Sequence, residues 1–526
     1  MVRAYKIKYF MPNLQAKSII LNFLNNKKMA KHTKIVATLG LVSDKKEVIR
    51  EMISAGMNVA RLNFSHGSYE WHGNVIKIIK ELSEELGVAV GIMADLQGPR
   101  IRTLVKDEVE ITKGEFVLVS DIVKDPNLKF EILNFKSISN DKILNAGKFL
   151  LDVPNIINDV EIGNEILIED GLMKIVVREK NEGVLLTEVI DGGVIKNHKG
   201  VNIPDAKLQI NPITEKDEKD LEFSLCNDVD FVAMSFVSSG ADIELLREKI
   251  KKILGRENDL PQIVAKIERK EAIKNLDDII DHTDAVMVAR GDLGIEEDEA
   301  KVGVLQKEII YKSLRNMKPV IVATQMLNSM IENPRQTRAE VSDVTNAVID
   351  HADAVMLSGE SASGKYPVES VQIMKEIIEN TEESPFDDVK HLLALEGKAD
   401  FKKLMKEAYE FAKDSNIKAI VVASVSGFTA RLMSHARFDK TLFVATNNKK
   451  TYNQLSLVWG AEEFYVEEND LSKAIDLMIE YKKTTKELDA GDMVAVAAVQ
   501  KGKKCGRLER KQCNSFASHN FIKKTL

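Results

Sequence analysis

At 526 residues, with 44% hydrophobic content and only 28 glycines and 11 prolines, the chain has the composition of an ordinary globular protein long enough for several domains. A net charge of −7 gives no overall basic field, which argues against nucleic acid or an anionic membrane as the main partner. No apolar run approaches the roughly 20 residues of a membrane-spanning helix, and Cys226, Cys505 and Cys513 lack metal-ligand spacing and fit a reducing, cytoplasmic compartment.

No acidic residue precedes Asp44, and residues 1–28 mix Lys and Arg with scattered apolar residues. That superficially suits an organellar presequence. Met29-Ala30-Lys31 reads instead as the natural start, with residues 1–30 a disordered N-terminal extension. From Ile35 on, short apolar runs ending in polar residues recur at 35–38, 59–63, 90–95, 231–236, 263–268, 285–292, 320–325 and 354–359. Most lead into amphipathic helical stretches such as 69–86 and 242–254, so β then α repeats at about 24 to 34 residues per unit. Eight such units predict an α/β fold, a closed (β/α)8 TIM barrel over 31–97 and 200–375, with catalytic groups at the carboxyl ends of the strands.

One long interruption, residues 98–199, alternates Val, Ile and Leu with charged residues and is broken by Gly163-Asn164, Asp170-Gly171 and Asp191-Gly192-Gly193. It reads as a small all-β barrel domain inserted in a barrel loop, placed to act as a lid. Residues 385–500, with a helix at 401–413 and strands at 419–424, 442–446 and 493–499, read as an open C-terminal α/β domain. Beyond Gln500 the chain is basic and without alternation, so 501–526 is expected to be an atypical tail that does not complete the last sheet.

The chemistry gathers at the strand ends. In the run 263–268, Val264, Lys266 and Glu268 alternate with Ile263, Ala265 and Ile267, so a strand's period of two puts Lys266 and Glu268 on one face. Asp292, at the end of the next strand, can share a hard cation with Glu268, because Mg²⁺ takes a few carboxylate oxygens and leaves its other positions to water and phosphate. A lone strand-end carboxylate reads equally as half of a structural ion pair, and Lys266 as its neutralising partner. Two carboxylates beside a lysine point instead to a metal site for phosphoryl transfer. Arg61, on the second run, has the planar fork that suits phosphate oxygens. The backbone at 289–292 opens the segment leading to the next helix, where free N–H groups suit a carboxylate.

Six motifs in order, Met57-Asn58-Val59-Ala60-Arg61-Leu62-Asn63-Phe64-Ser65-His66-Gly67, Asp95-Leu96-Gln97-Gly98-Pro99, Lys266-Ile267-Glu268, Ala289-Arg290-Gly291-Asp292-Leu293-Gly294, Ala323-Thr324-Gln325-Met326 and Met356-Leu357-Ser358-Gly359-Glu360, resemble the pyruvate kinase family. The resemblance spans about 34–500. It implies transfer of a phosphoryl group from phosphoenolpyruvate to ADP, giving ATP and pyruvate, the last step of glycolysis. It further implies Mg²⁺ or Mn²⁺ on Glu268 and Asp292, a second divalent ion arriving with ADP, and substrate contacts from Arg61, Lys266, Ala289, Gly291, Asp292, Thr324 and Ser358. Lys266 is implied as the cation on the transferring group, and Thr324 as the hydroxyl that, with water, returns a proton to the enolate. Asn63, His66, Lys199 and Lys365 match nucleotide contacts, and a homotetramer is the family expectation.

Asn63, Ser65, Asp95 and the Leu96 carbonyl match the oxygens that bind K⁺ in much of the family. Here the sequence departs, since cation-dependent members carry a glutamate after Gly-Pro and this chain carries Arg100. A fixed guanidinium there would make K⁺ dispensable. The loop Ser424-Val425-Ser426-Gly427-Phe428-Thr429-Ala430 resembles the family's site for a phosphorylated effector, and reads equally as a capped helix start. Two rivals remain at this level: a metal-dependent barrel lyase or aldolase, which needs neither the lysine nor a lid, and a catalytically dead binding protein.

Overall fold

The computed structural model describes residues 31–122, 135, 146–181, 183–387, 409–410, 412–414, 416–499 and 519–525. The expected N-terminal extension and most of the expected helix at 401–413 lie outside them. The chain opens with three parallel strands, β1 (Lys34–Leu39), β2 (Val59–Asn63) and β3 (Gly91–Asp95), separated by the helices Lys46–Ala55 and Tyr69–Leu86. The second helix starts at Ser68, whose hydroxyl accepts from the Trp71 N–H, and stops at Gly87 in a left-handed conformation.

The inserted domain follows as β4 (Ile101–Leu104), β5 (Val109–Ile111), β6 (Phe116–Asp121), β7 (Gly147–Leu151), β8 (Glu165–Ile168), β9 (Met173–Asn181), β10 (Val184–Asp191), β11 (Gly193–Ile195) and β12 (Gly200–Asn202). Seven of these close a small barrel in the order β10-β6-β7-β4-β12-β8-β9, and β5 pairs with β11 beside it. Its own core includes Val119, Leu151, Ile166, Ile175 and Leu185.

The main barrel resumes with β13 (Phe231–Met234), β14 (Gln262–Ile267), β15 (Ala285–Ala289), β16 (Val320–Ala323) and β17 (Ala354–Leu357), and closes in the order β1-β17-β16-β15-β14-β13-β3-β2 with every pairing parallel. All eight runs read from the sequence form barrel strands. Period two sorts them: Ile263, Ala265 and Ile267 join the cluster under the outer helices, while Val36, Val59, Met93, Phe231, Ala233, Val264, Ile321 and Ala323 fill the lumen.

The third domain is a sheet in the order β20-β19-β18-β21-β22, from β18 (Ile417–Ala423), β19 (Thr441–Thr446), β20 (Ala461–Tyr465), β21 (Met493–Val499) and β22 (His519–Thr525). The last strand is a correction. The tail was expected to leave the sheet unfinished, yet β22 pairs antiparallel with β21 along seven registered positions, from Val499 with His519 to Met493 with Thr525. An edge strand has no second neighbour to impose alternation, and an exposed lysine such as Lys524 helps protect such an edge from further pairing. Residues 501–518 lie outside the described residues.

The C-terminal domain seals the barrel's amino end. Leu457 enters the lumen cluster, and a Cβ on Gly91 would fall 2.4 Å from Ser456 Oγ and 3.2 Å from the Asn453 carbonyl, so only glycine admits this approach. Lys450 donates to the Val229 carbonyl and pairs with Asp228 and Asp230, and Gln454 donates to the Leu260 carbonyl. The inserted domain leaves from the opposite, carboxyl end of β3.

Candidate active site

One step above the apolar lumen, the inward positions turn polar. Thr38, Arg61, Asp95, Ser235 and Lys266, from five adjacent strands or the residue just past them, form a buried, hydrogen-bonded layer. Arg61 Nε donates to Asp95 Oδ2 at 2.6 Å, and its Nη1 donates to Thr38 Oγ1 at 2.8 Å. Lys266 Nζ lies 2.8 Å from Glu268 Oε1 and 3.3 Å from Asp95 Oδ1, and donates to Ser235 Oγ at 2.7 Å. Burial alone would raise the Asp95 carboxyl, but Lys266 and Arg61 beside it hold it below the usual carboxylate range. Burial likewise works against the Lys266 ammonium, yet Asp95 and Glu268 push it above its ordinary value, so it stays charged.

Glu268 is the strained member. Its Oε2 accepts from the Phe236 N–H at 2.7 Å. Burial raises its carboxyl, Lys266 opposes that, and the negative Asp292 nearby raises it again, for a net upward shift. A buried carboxylate repelled by a second one, with one ammonium between them and Asp95, is short of positive charge. Hard oxygen donors in that condition fit a divalent cation. Among the described residues no group of three or more His, Cys, Asp or Glu side chains gathers as a ready-made metal cage. Such a two-carboxylate site suits Mg²⁺, which keeps water and substrate oxygens.

Asp292 does not end a strand as the sequence suggested. It sits in the first turn of the helix Arg290–Glu296, immediately after β15. Across from it, Thr324 follows β16 with φ +70° and Gln325 follows with φ +55°. A β-branched residue in the left-handed region costs about 1–3 kcal/mol and persists only where surrounding contacts enforce it. Thr324 Oγ1 accepts from the Gly291 N–H at 2.8 Å, which leaves the hydroxyl proton free to donate. The expected carboxylate-binding N–H of Gly291 is thereby taken.

Comparison with known proteins agrees with this architecture. The family model described as pyruvate kinase, barrel domain, matches residues 30–371, and the one described as pyruvate kinase, alpha/beta domain, matches 402–508. The chain belongs to the pyruvate kinase family. A pyruvate kinase of Staphylococcus epidermidis is 38% identical over 475 residues, covering 89% of this chain and 77% of that one. Another, of Geobacillus stearothermophilus, is 37% identical over 491 residues, covering 89% and 78%. The crystal structure of a pyruvate kinase from Cryptosporidium parvum superimposes with a TM-score of 0.83 at 30% identity, covering 96% of this chain and 97% of that one. As a pyruvate kinase family member the chain is a phosphotransferase that moves the phosphoryl group of phosphoenolpyruvate to ADP.

The pyruvate kinase motif residues read from the sequence divide by position. Arg61, Asp95, Lys266, Glu268, Ala289, Gly291, Asp292 and Thr324 fall at the barrel's carboxyl end. Ser358 follows β17, its N–H donating to buried Glu360, which also accepts from the Leu327 N–H and so ties two strand-end loops together. Asn63 Oδ1 accepts from the Ser65 N–H, and the Leu96 carbonyl accepts from Ser235 Oγ at 2.7 Å. Arg100 is not brought to these oxygens: it donates to Asp170 of the inserted domain at 3.2 Å, while Asp95 is held by Arg61 and Lys266. Lys199 pairs with Glu169 within the same domain, Lys365 pairs with Glu332 at 2.6 Å on the surface, and His66 is exposed. Two members of the polar layer, Thr38 and Ser235, were missed. Carrying the alternation past Val36 and past Ala233 by one inward position finds both.

Proposed function

We propose that transfer runs on the polar layer at the carboxyl end of the barrel, with Arg61 and Lys266 on the phosphate of phosphoenolpyruvate and Glu268 with Asp292 holding Mg²⁺ or Mn²⁺. The observation that carries this is Lys266, buried and kept charged between Asp95 and Glu268. A divalent ion held by Glu268 and Asp292 would supply positive charge to offset the anionic substrate. The bond between phosphorus and the enol oxygen breaks with its electron pair left on that oxygen, while an ADP phosphate oxygen bonds to phosphorus. Lys266 acts on the charge spread over the transferring oxygens, which is greatest in the transition state. The enolate carbon then takes a proton from the Thr324 hydroxyl, which regains one from water.

The nucleotide is assigned to Asn63, His66, Lys199 and Lys365, with the inserted domain closing over it as a lid. K⁺ is dispensable in this account, Arg100 standing where cation-dependent relatives carry glutamate. Homotetramer formation, a phosphorylated effector at 424–430 and a cytoplasmic location complete the proposal. Their support is family membership, and among the described residues no helix is long and apolar enough to cross a membrane.

Mn²⁺ binding followed by electron paramagnetic resonance tests the metal assignment. Glu268→Gln and Asp292→Asn each weaken binding by at least about tenfold, a loss that even outer-shell changes produce. The carboxyl of Glu268 is shifted upward, so below that raised value it carries a proton that a metal ion must displace. Affinity therefore climbs as pH rises through that raised value and levels above it. Binding in both variants as tight as in the unmodified chain, or pH-independent binding in the unmodified chain, contradicts the assignment.

A further inference from the structure

Arg290 has no part in the transfer just described, yet its side chain is almost wholly enclosed and fully engaged. Its Nη2 donates to the Thr324 carbonyl at 2.6 Å, and its Nε donates to the Ala323 carbonyl at 3.3 Å. Its Nη1 lies 2.7 Å from both carboxylate oxygens of Asp343. Asp343 belongs to the helix Arg338–Ile349, whose start is fixed by a capping box between Thr337 and Glu340, and Glu340 also accepts from the Ser329 N–H. Two consecutive connections of the barrel, from β15 to β16 and from β16 to β17, thus meet on one guanidinium.

What that guanidinium grips is a turn at the end of β16 in which two successive non-glycine residues, Thr324 and Gln325, hold positive φ. The next residue in the chain, Gly291, grips the same threonine through its hydroxyl. Carbonyl and hydroxyl of Thr324 are therefore both held by the Arg290-Gly291 pair.

We propose that Arg290, braced by Asp343, is a positioning residue for the proton step: it holds the strained turn that aims the Thr324 hydroxyl. The proposal rests on Thr324 as the proton donor. A planar fork that bonds two carbonyls and a carboxylate at once is what a lysine cannot reproduce. Without it the turn relaxes toward an ordinary φ, the hydroxyl swings off the enolate carbon, and the phosphate-binding layer on the far strands stays as it was.

The test is exchange of pyruvate's methyl hydrogens with D₂O in the presence of Mg²⁺ and ATP. In exchange a methyl C–H bond breaks, its electron pair enters the enolate, the proton leaves through the donor to solvent, and a deuteron returns to form C–D. In Arg290→Lys exchange slows by about 10²-fold, the cost of misplacing a reacting group by roughly 1 Å, while KM for phosphoenolpyruvate stays within about twofold. Asp343→Asn, a conservative change at a half-exposed site, shows the same pattern more weakly and carries the test if Arg290→Lys does not fold. Exchange at the wild-type rate in either folded variant, or a KM that rises as far as exchange falls, overturns the proposal. Thr324→Ala separates the two ideas. Wild-type exchange there removes Thr324 as donor and the proposal with it, whereas slow exchange in Thr324→Ala beside normal exchange in Arg290→Lys removes the positioning role alone.

Discussion

Asp95 shows how few residues set the site's electrostatics. It is buried, it meets both Arg61 and Lys266, and stripping either cation from such a group leaves uncompensated buried charge, at a cost of about 3–5 kcal/mol. Arg100 is in the opposite condition: its pair with Asp170 is exposed on both sides, and such pairs are worth about 0–1 kcal/mol. For K⁺ to be dispensable, that guanidinium must leave Asp170 and reach the cation-binding oxygens, which a pair this weak allows. Activity should then persist in a buffer containing only organic cations, and Arg100→Glu should create a K⁺ requirement. Strong K⁺ activation of the unmodified enzyme refutes this. The alternation of 263–268 made Lys266 and Glu268 legible in the sequence, since side-chain direction in a strand follows from position alone. The pairings of Arg100, Lys199 and Lys365 were not legible, because they depend on which loop folds beside which.

At the level of elements, apolar runs of four to six residues, buried on both faces along most of their length, marked the strands of the main barrel. Their ends were less legible: Asp292 reads as strand by its apolar neighbours but begins a helix. β22 was not legible at all, since a basic edge strand carries neither alternation nor an apolar run. The structure reverses the expectation drawn from it. Ending the chain after Lys501 removes the antiparallel partner of β21 and the Lys524–Asp476 ion pair, and exposes the β21 edge. Calorimetry should show the C-terminal domain melting at least about 4 °C lower, the shift that roughly 1 kcal/mol produces in a domain of this size. An unchanged transition would show that β22 contributes nothing to the fold.

Over the whole molecule, the barrel divides labour between its ends. The amino end is plugged by Leu457 and bridged to the C-terminal domain, where Arg437 pairs with Asp353 at 3.0 Å and stacks over Trp459. The carboxyl end carries the polar layer, the two carboxylates and the strained Thr324 turn, with the inserted domain rooted beside them at Gly98, whose φ is +70°. A barrel lyase would need the carboxylates and not the lysine, so Lys266 is where the account stands or fails. The decisive measurement is ATP and pyruvate formation from phosphoenolpyruvate and ADP with Mg²⁺, for the unmodified chain and Lys266→Met side by side, with Mn²⁺ binding recorded on both. Equal yields of ATP and pyruvate from the first, and turnover lower by at least about 10² to 10³ with metal still bound in the second, are the predicted result; full turnover in Lys266→Met would contradict it.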